Sequence, residues 1–219
     1  MFSFPGLRAV TFDVGGTLIT PWPSVGQVYT EVAARNGHPG ISAASLDERF
    51  AQTWRGMKNF SHTRAEWVEL VDATFRGLIR PPPSQTFFAM LYDRFTEPGA
   101  WRIFPDVLPA LQRLRSLGLK LGIISNWDDR LRPLLHGLGL DRYFETIIVS
   151  CEVGCPKPAF QIFDRAAQEL RNPASTILHI GDSLEMDVRG AEAAGMKALW
   201  LNRQSTLEQA GILRSLTDL

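Results

Sequence analysis

The chain is 219 residues long, 45% hydrophobic and 21% charged, with 23 basic and 23 acidic residues that cancel to a net charge of zero. This is enough chain for one globular domain with an insertion, and the balance excludes a disordered or fibrous protein. There is no basic tract or basic–aromatic interleaving to bind nucleic acid, and no apolar run nears the ~18 residues of a membrane span. The N-terminal stretch MFSFPGLRAV lacks a charged segment ahead of a long apolar one, so no signal peptide is expected. Cys151 and Cys155, in CEVGC, have no second pair to complete a tetrahedral metal site. They are expected to be ordinary thiols of a cytoplasmic protein.

In chain order, residues 8–13 form an apolar run that ends in Asp13, the pattern of a buried parallel strand. From residue 20 to about 103 the pattern is helical, with no strand. The clearest helix is 63–79, where Trp67, Leu70, Val71, Phe75 and Leu78 share a face. Trp22, Trp54 and Trp67 are expected in the core of this insert. A helix follows over 106–117, with Val107, Leu111 and Leu114 on one face and Gly118 as its stop. Strands are predicted at 119–125, 146–150, 176–180 and 197–201. Between them lie helices 158–170, with Pro158 in the first turn and Phe160, Phe163, Ala167 and Leu170 in one stripe, and 184–194. The alternation predicts an α/β fold, a three-layer sandwich on a parallel sheet built from residues 1–19 and 104–219. A helical cap, 20–103, is inserted after the first strand.

The polar residues at the strand ends carry the chemistry, because ligands of such sheets bind outside the carboxyl ends of the strands. Strand one ends at Asp13 and the next at Ser125-Asn126. Lys157 follows the third, and Gly181-Asp182-Ser183 ends the fourth, with Asp187 five residues beyond Asp182. A carboxylate can attack phosphorus if the repulsion between two anions is cancelled. Mg²⁺ shared by Asp13 and Asp182 would do this, helped by the Lys157 ammonium, while Ser125 holds phosphoryl oxygens. Singly, each carboxylate reads as a cap or surface residue, and Asp182 could simply N-cap its helix. Their joint occurrence in this order argues for a site. His179 lies inside a strand and is expected to be a core histidine.

The stretches FDVGGTL, GIISN, PKP and HIGDSLEMDVRGAEAAG, in that order, resemble the four motifs of the haloacid dehalogenase superfamily of hydrolases. The resemblance spans nearly the whole chain. With SHTRAEWVELVDATF in the insert, it is similar to the rhythmically expressed, haloacid-dehalogenase-like subfamily. It implies a type-one helical cap and a Mg²⁺-dependent hydrolase of small phosphorylated metabolites. Asp13 would be the nucleophile, and Thr17 would hydrogen-bond near it and shape the loop. Ser125, Asn126 and Lys157 would bind the transferring phosphoryl group. Asp13, Asp182 and the Gly15 backbone carbonyl would hold Mg²⁺, with Asp187 in support. The chain departs from the family at Gly15, where phosphatases carry a second aspartate as general acid and base. The alternatives are a weakly catalytic protein that binds a phosphorylated ligand or a protein partner, a 2-haloacid dehalogenase, and a phosphonate-cleaving relative using Lys58. DVGGT also resembles the first phosphate loop of sugar kinases, but nothing downstream resembles their second. Sequence gives no oligomeric state.

Overall fold

The computed structural model describes residues 5–57, 60–205 and 211–219; Lys58 lies outside them. The described residues form eight strands: β1 (Ala9–Phe12), β2 (Ile19–Pro21), β3 (Trp101–Ile103), β4 (Lys120–Ser125), β5 (Thr146–Val149), β6 (Ile177–Gly181), β7 (Lys197–Leu201) and β8 (Ile212–Leu213). Six of them make one sheet in the order β5-β4-β1-β6-β7-β8, with parallel pairing throughout. Helices cover both of its sides, as the alternating sequence pattern requires.

The predicted strands fall within a residue or two of the observed ones, because each is a short, nearly fully buried apolar run. Three strands were not anticipated. β8 has two residues, while β2 and β3 have three each and pair as a separate sheet at the ends of the insert expected to be all-helical. Two or three residues carry no readable period.

The insert contributes α1 (Val25–Arg35), α2 (Ala43–Gly56), α3 (Arg64–Phe75) and α4 (Phe88–Arg94). Each of the first three starts at a hydroxyl cap, Ser24, Ser42 or Thr63, and Glu66 completes a capping box with Thr63. Tyr29, Leu46, Val71, Phe75, Phe87 and Leu91 form their core. Trp67 packs against that core, but Trp54 is 39% and Trp22 45% exposed, contrary to expectation. The α3 face also stops short, leaving Leu78 exposed.

Beyond the insert lie α5 (Val107–Ser116), α6 (Leu131–Gly137), α7 (Ser150–Val153), α8 (Phe160–Leu170) and α9 (Gly190–Ala193). Two compact units result. One comprises the chain up to Thr20, Ile103–Asp129 and Leu138 onward. The other comprises Pro21–Arg102 together with Arg130–Gly137, so α6 belongs to the helical unit although its sequence lies among the sheet's strands.

In α8, Ile162, Phe163, Ala166, Ala167 and Leu170 are buried at helical spacing, and the helix begins at Phe160, past Pro158. Phe160 itself is exposed rather than part of the stripe. The helix predicted over 184–194 is a wide π turn, Leu184–Arg189, followed by α9. The Val188 N–H reaches back five residues to the Ser183 carbonyl. Among the described residues no helix is long and apolar enough to cross a membrane, and both cysteines are free thiols.

Phe163 is fully buried, its ring edge-on to His179 at 5.4 Å and beside Gly190. Phe163→Ala is expected to cost about 3–5 kcal/mol, as large-to-small core changes do. Equilibrium urea unfolding checks this, and a loss below about 1 kcal/mol would show a core that collapses around the gap.

Candidate active site

Sheet register builds the site. Phe12 is level with Ile123 on β4 and Ile180 on β6, so Asp13, Ser125 and Asp182 emerge within two residues of one another along the same edge. Ser125 is level with Val149 on β5, whose outgoing chain leads to Lys157. The Asp13 N–H still donates to the Ile180 carbonyl at 2.9 Å, so the aspartate is held by the sheet although it lies past the strand.

The loop after Asp13 turns on one acceptor. The N–H groups of Thr17, Leu18 and Ile19 all point at the Val14 carbonyl, at 3.3, 2.8 and 3.1 Å. Gly16 has φ +73°, the left-handed region, and a Cβ there would collide with the Asp182 carboxylate; both facts demand glycine. Among the described residues no N–H donates to the Gly15 carbonyl.

The Asp13 side chain is buried. Its Oδ1 accepts from Ser125 Oγ at 2.9 Å and from Lys157 Nζ at 2.7 Å. Among the described residues no donor reaches Oδ2. Lys157 Nζ also donates to Asp187 Oδ1 at 2.5 Å, so one buried ammonium, 3% exposed, joins two carboxylates. Asp187 accepts further from the Ser183 N–H at 2.9 Å and lies 3.2 Å from His179 Nε2. Gly181 makes this possible, since a Cβ there would overlap the Asp187 carboxyl. On its other side His179 Nδ1 lies 3.0 Å from Thr11 Oγ1. Burial depresses the imidazole pKa, so the ring is neutral. Asp187 can only accept, which fixes the proton on Nε2 and makes Nδ1 the acceptor of the Thr11 hydroxyl. His179 is a core histidine, as expected, and also the orienting partner of Asp187.

Charge sets the titration behaviour. Burial raises the Asp13 pKa, and the Asp187 charge adds to this against the pull of Lys157. Burial would also raise Asp187, but Lys157 and the His179 hydrogen bond hold it well below the usual carboxylate range. Lys157 resists the downward push of burial because two carboxylates bond it, and its pKa rises. Asp182 is exposed as a residue, yet its carboxyl presses on Gly16. That desolvation and the charges of Asp13 and Asp187 push it up to about 7.

Asp13, Asp182 and Asp187 each place a carboxylate oxygen within 4.8 Å of the others. Fully ionised, three carboxylates against the single ammonium of Lys157 would leave two negative charges in excess. The donor set, hard oxygen at a negative cluster, suits a divalent cation such as Mg²⁺.

Asn126 takes on a second role and Thr17 a different one. The Asn126 side chain accepts from the Lys157 N–H at 2.7 Å and donates to the Lys157 carbonyl at 3.0 Å. Its carbonyl and one N–H are therefore engaged, so it positions the Lys157 backbone, a role beside the phosphate contact expected of it. Thr17 was expected to hydrogen-bond near Asp13, but its hydroxyl is fully buried and has no hydrogen-bond partner among the described residues. The Asp13 oxygen it could have served is taken by Ser125 and Lys157. Thr17 shapes the loop through its backbone, its carbonyl accepting from Arg203 at 2.8 Å. Arg203 is in turn held by Asp106 at 2.8 Å.

Trp200 and Trp127 escape sequence reading. Trp200 Nε1 donates to the Asp182 carbonyl at 2.8 Å and fixes that residue's backbone. Trp127 lies against Gly15, its Cζ3 3.2 Å from where a Cβ would stand. An indole between apolar strand residues, or two residues after a serine, gives no local signal of either contact.

A strand-end aspartate clamped by serine and lysine beside two further aspartates stands at the carboxyl edge of the parallel sheet, where ligands of such folds bind. Residues 7–195 match the haloacid dehalogenase-like hydrolase family, and the chain belongs to it. Haloacid dehalogenase-like hydrolase domain-containing protein 3 of Mus musculus is 32% identical over 216 residues, 93% of this chain and 85% of the relative. Glyceraldehyde 3-phosphate phosphatase of Methanopyrus kandleri is 28% identical over 209 residues, 90% of this chain and 84% of the relative. Among solved structures, a phosphatase of the superfamily from Thermococcus onnurineus superposes with a TM-score of 0.70 at 28% identity, covering 97% of this chain and 95% of its own.

The raised Asp182 pKa has a measurable sign. Between its ordinary value of 3.8 and about 7 the folded chain keeps a proton that the unfolded chain releases. This contribution to stability therefore falls as pH rises through that window. Neutral His179 pulls the other way, losing stability as pH falls, but is common to wild type and variant. In EDTA, Asp182→Asn is expected to melt higher than wild type at pH 8, with the gap closing toward pH 5. A gap that is constant with pH, measured by thermal melts, would refute this.

Proposed function

We propose that the protein is a Mg²⁺-dependent phosphohydrolase that acts on a small phosphorylated metabolite through an aspartyl-phosphate on Asp13. The observation that carries this reading is the clamp on Asp13: Ser125 and Lys157 both hold Oδ1, and Oδ2 is left without a donor among the described residues. Oδ2 is the atom assigned to attack phosphorus. The bond from phosphorus to the leaving oxygen breaks, and water then cleaves the aspartyl-phosphate to release phosphate.

Ser125 and Lys157 stand where they can transfer their hydrogen bonds to phosphoryl oxygens as charge builds there. Asn126 keeps the Lys157 backbone in place, and Asp187 keeps its ammonium in place. Asp13, Asp182 and the Gly15 carbonyl would hold Mg²⁺, with Asp187 behind them, and the bound ion would supply positive charge against the repulsion between carboxylate and phosphate. The phosphatase names of the Methanopyrus kandleri relative and the Thermococcus onnurineus structure support the choice of phosphate over other leaving groups. The excess negative charge of the Asp13, Asp182 and Asp187 cluster argues against dehalogenation, which needs no cation.

The wild type in Mg²⁺ is expected to release phosphate from acetyl phosphate and p-nitrophenyl phosphate, and EDTA to abolish it. Asp13→Asn should be inactive, and Lys157→Met should lose on the order of 10²–10³ in kcat, the scale of one lost charge-stabilising donor. Full activity in Asp13→Asn, or chloride release from 2-chloropropionate that survives EDTA, would replace this reading.

A further inference from the structure

Gly15 lies two residues past Asp13, and Trp127 lies two residues past Ser125 on the neighbouring strand. A Cβ on Gly15 would meet the six-membered edge of the indole, 3.2 Å from Cζ3 and 3.9 Å from Cη2. That spacing is tight for carbon atoms, so a side chain at 15 requires the ring to give by a few tenths of an ångström and crowds whatever extends past its Cβ. The Trp127 backbone is pinned. Its N–H donates to Ser150 Oγ at 3.0 Å, the Ser150 hydroxyl donates back to its carbonyl at 3.1 Å, and the Cys151 N–H donates to that carbonyl at 3.3 Å.

The side of the site at Gly15 therefore presents carbon where a proton donor would stand. The polar groups on Asp13 do not fill the gap. Ser125 gives its proton to Asp13, and Lys157 is held between two carboxylates that keep it protonated. Asp182 would be engaged by the cation that the phosphohydrolase reading places there. A leaving oxygen must then depart without a proton. An alkoxide is a base comparable to hydroxide and leaves poorly, whereas a carboxylate, with a parent acid near pKa ~4, is stable as the anion.

We propose that Trp127 is a specificity-determining residue whose indole occupies the proton-donor position beside Gly15 and restricts efficient turnover to acyl phosphates. The inference rests on the phosphohydrolase reading above. Asp13 takes the phosphoryl group as the bond from phosphorus to the acyl oxygen breaks, and the electron pair leaves with the carboxylate. Water then attacks phosphorus, the bond to Asp13 breaks, and one proton goes to solvent. Acyl phosphate and water thus give carboxylate, hydrogen phosphate and a proton.

The test compares acetyl phosphate, p-nitrophenyl phosphate and glycerol 3-phosphate in Mg²⁺. The proteins are wild type, Gly15→Asp, and Gly15→Asp combined with Trp127→Ala or, if that does not fold, with Trp127→Phe. Wild type is expected to favour acetyl phosphate over glycerol 3-phosphate in kcat/KM by about 10²–10⁴, the usual worth of a general acid. Gly15→Asp alone is the reference against which release of the indole is read on the alkyl ester, glycerol 3-phosphate. The double variant should raise it at least about tenfold, and acetyl phosphate by less, because only the alkoxide needs the acid. A crystal structure of Gly15→Asp should show the indole displaced. The proposal is overturned if wild type cleaves all three alike, if Gly15→Asp alone matches the double variant, or if the carboxylate is accommodated with the indole unmoved. No hydrolysis of any of the three by wild type, or activity surviving Asp13→Asn, would instead sink the phosphohydrolase reading itself.

Discussion

The site depends on one buried ammonium. Lys157 is 3% exposed and bonded to Asp13 at 2.7 Å and Asp187 at 2.5 Å. Burying an ion costs several kcal/mol, and attraction repays this only when geometry is good and the remaining hydrogen-bond positions are filled. Here they are. Asp13 also accepts from Ser125, and Asp187 accepts from the Ser183 N–H and is braced by His179, which is braced in turn by Thr11. Removing Lys157 would strand two buried carboxylates in a low-dielectric interior, and removing a neutral brace would leave a buried polar atom without its partner. The same burial makes the cluster electrostatically incomplete, since the third carboxylate, Asp182, has no cation of its own. Burial and the charges of Asp13 and Asp187 raise its pKa, and the same crowding of hard oxygens would suit a divalent ion.

The parallel sheet is what brings these groups together. Asp13, Ser125, Lys157 and Asp187 are separated by 30 to 144 residues along the chain in the contacts they make. No local structure could join them. Side chains on the ends of β1, β4 and β6 converge because parallel strands all finish at the same edge. The wide turn after β6 then carries Asp187 back over Gly181, where the absent Cβ leaves room for its carboxyl.

This explains what the sequence makes legible. Strands such as AVTF and KLGIIS announce themselves by composition, and polar residues closing them announce a site. Asp13, Ser125, Lys157 and Asp182 could therefore be read directly. What depends on contact between distant elements could not. The grip of Asn126 on the Lys157 backbone has no local signal, and the buried Thr17 hydroxyl looks like a donor until it is seen to lack a partner among the described residues. Leu131–Gly137 looks like part of the sheet domain because its neighbours in sequence are, yet its contacts are with the helical unit. The exposed Trp22 and Trp54 show the converse, that a large apolar side chain in a helical stretch is not a reliable core marker.

The glycines of the first motif differ in kind. Gly16 is dictated twice, by its positive φ and by the Asp182 carboxylate above it, so no other residue fits without strain. Gly15 carries no such backbone demand, since its φ lies outside the left-handed region. Among the described residues the only close neighbour of its hypothetical Cβ is a carbon edge of Trp127. Glycine at 15 is therefore a matter of space claimed by an indole rather than of conformation, and a side chain there is excluded only as firmly as that ring is held. The hydrogen bonds that pin the Trp127 backbone through Ser150 and Cys151 thus bear on the chemistry at Asp13 through packing alone. Glycine at 15 and tryptophan at 127 thus meet in one close contact made from the ends of two strands.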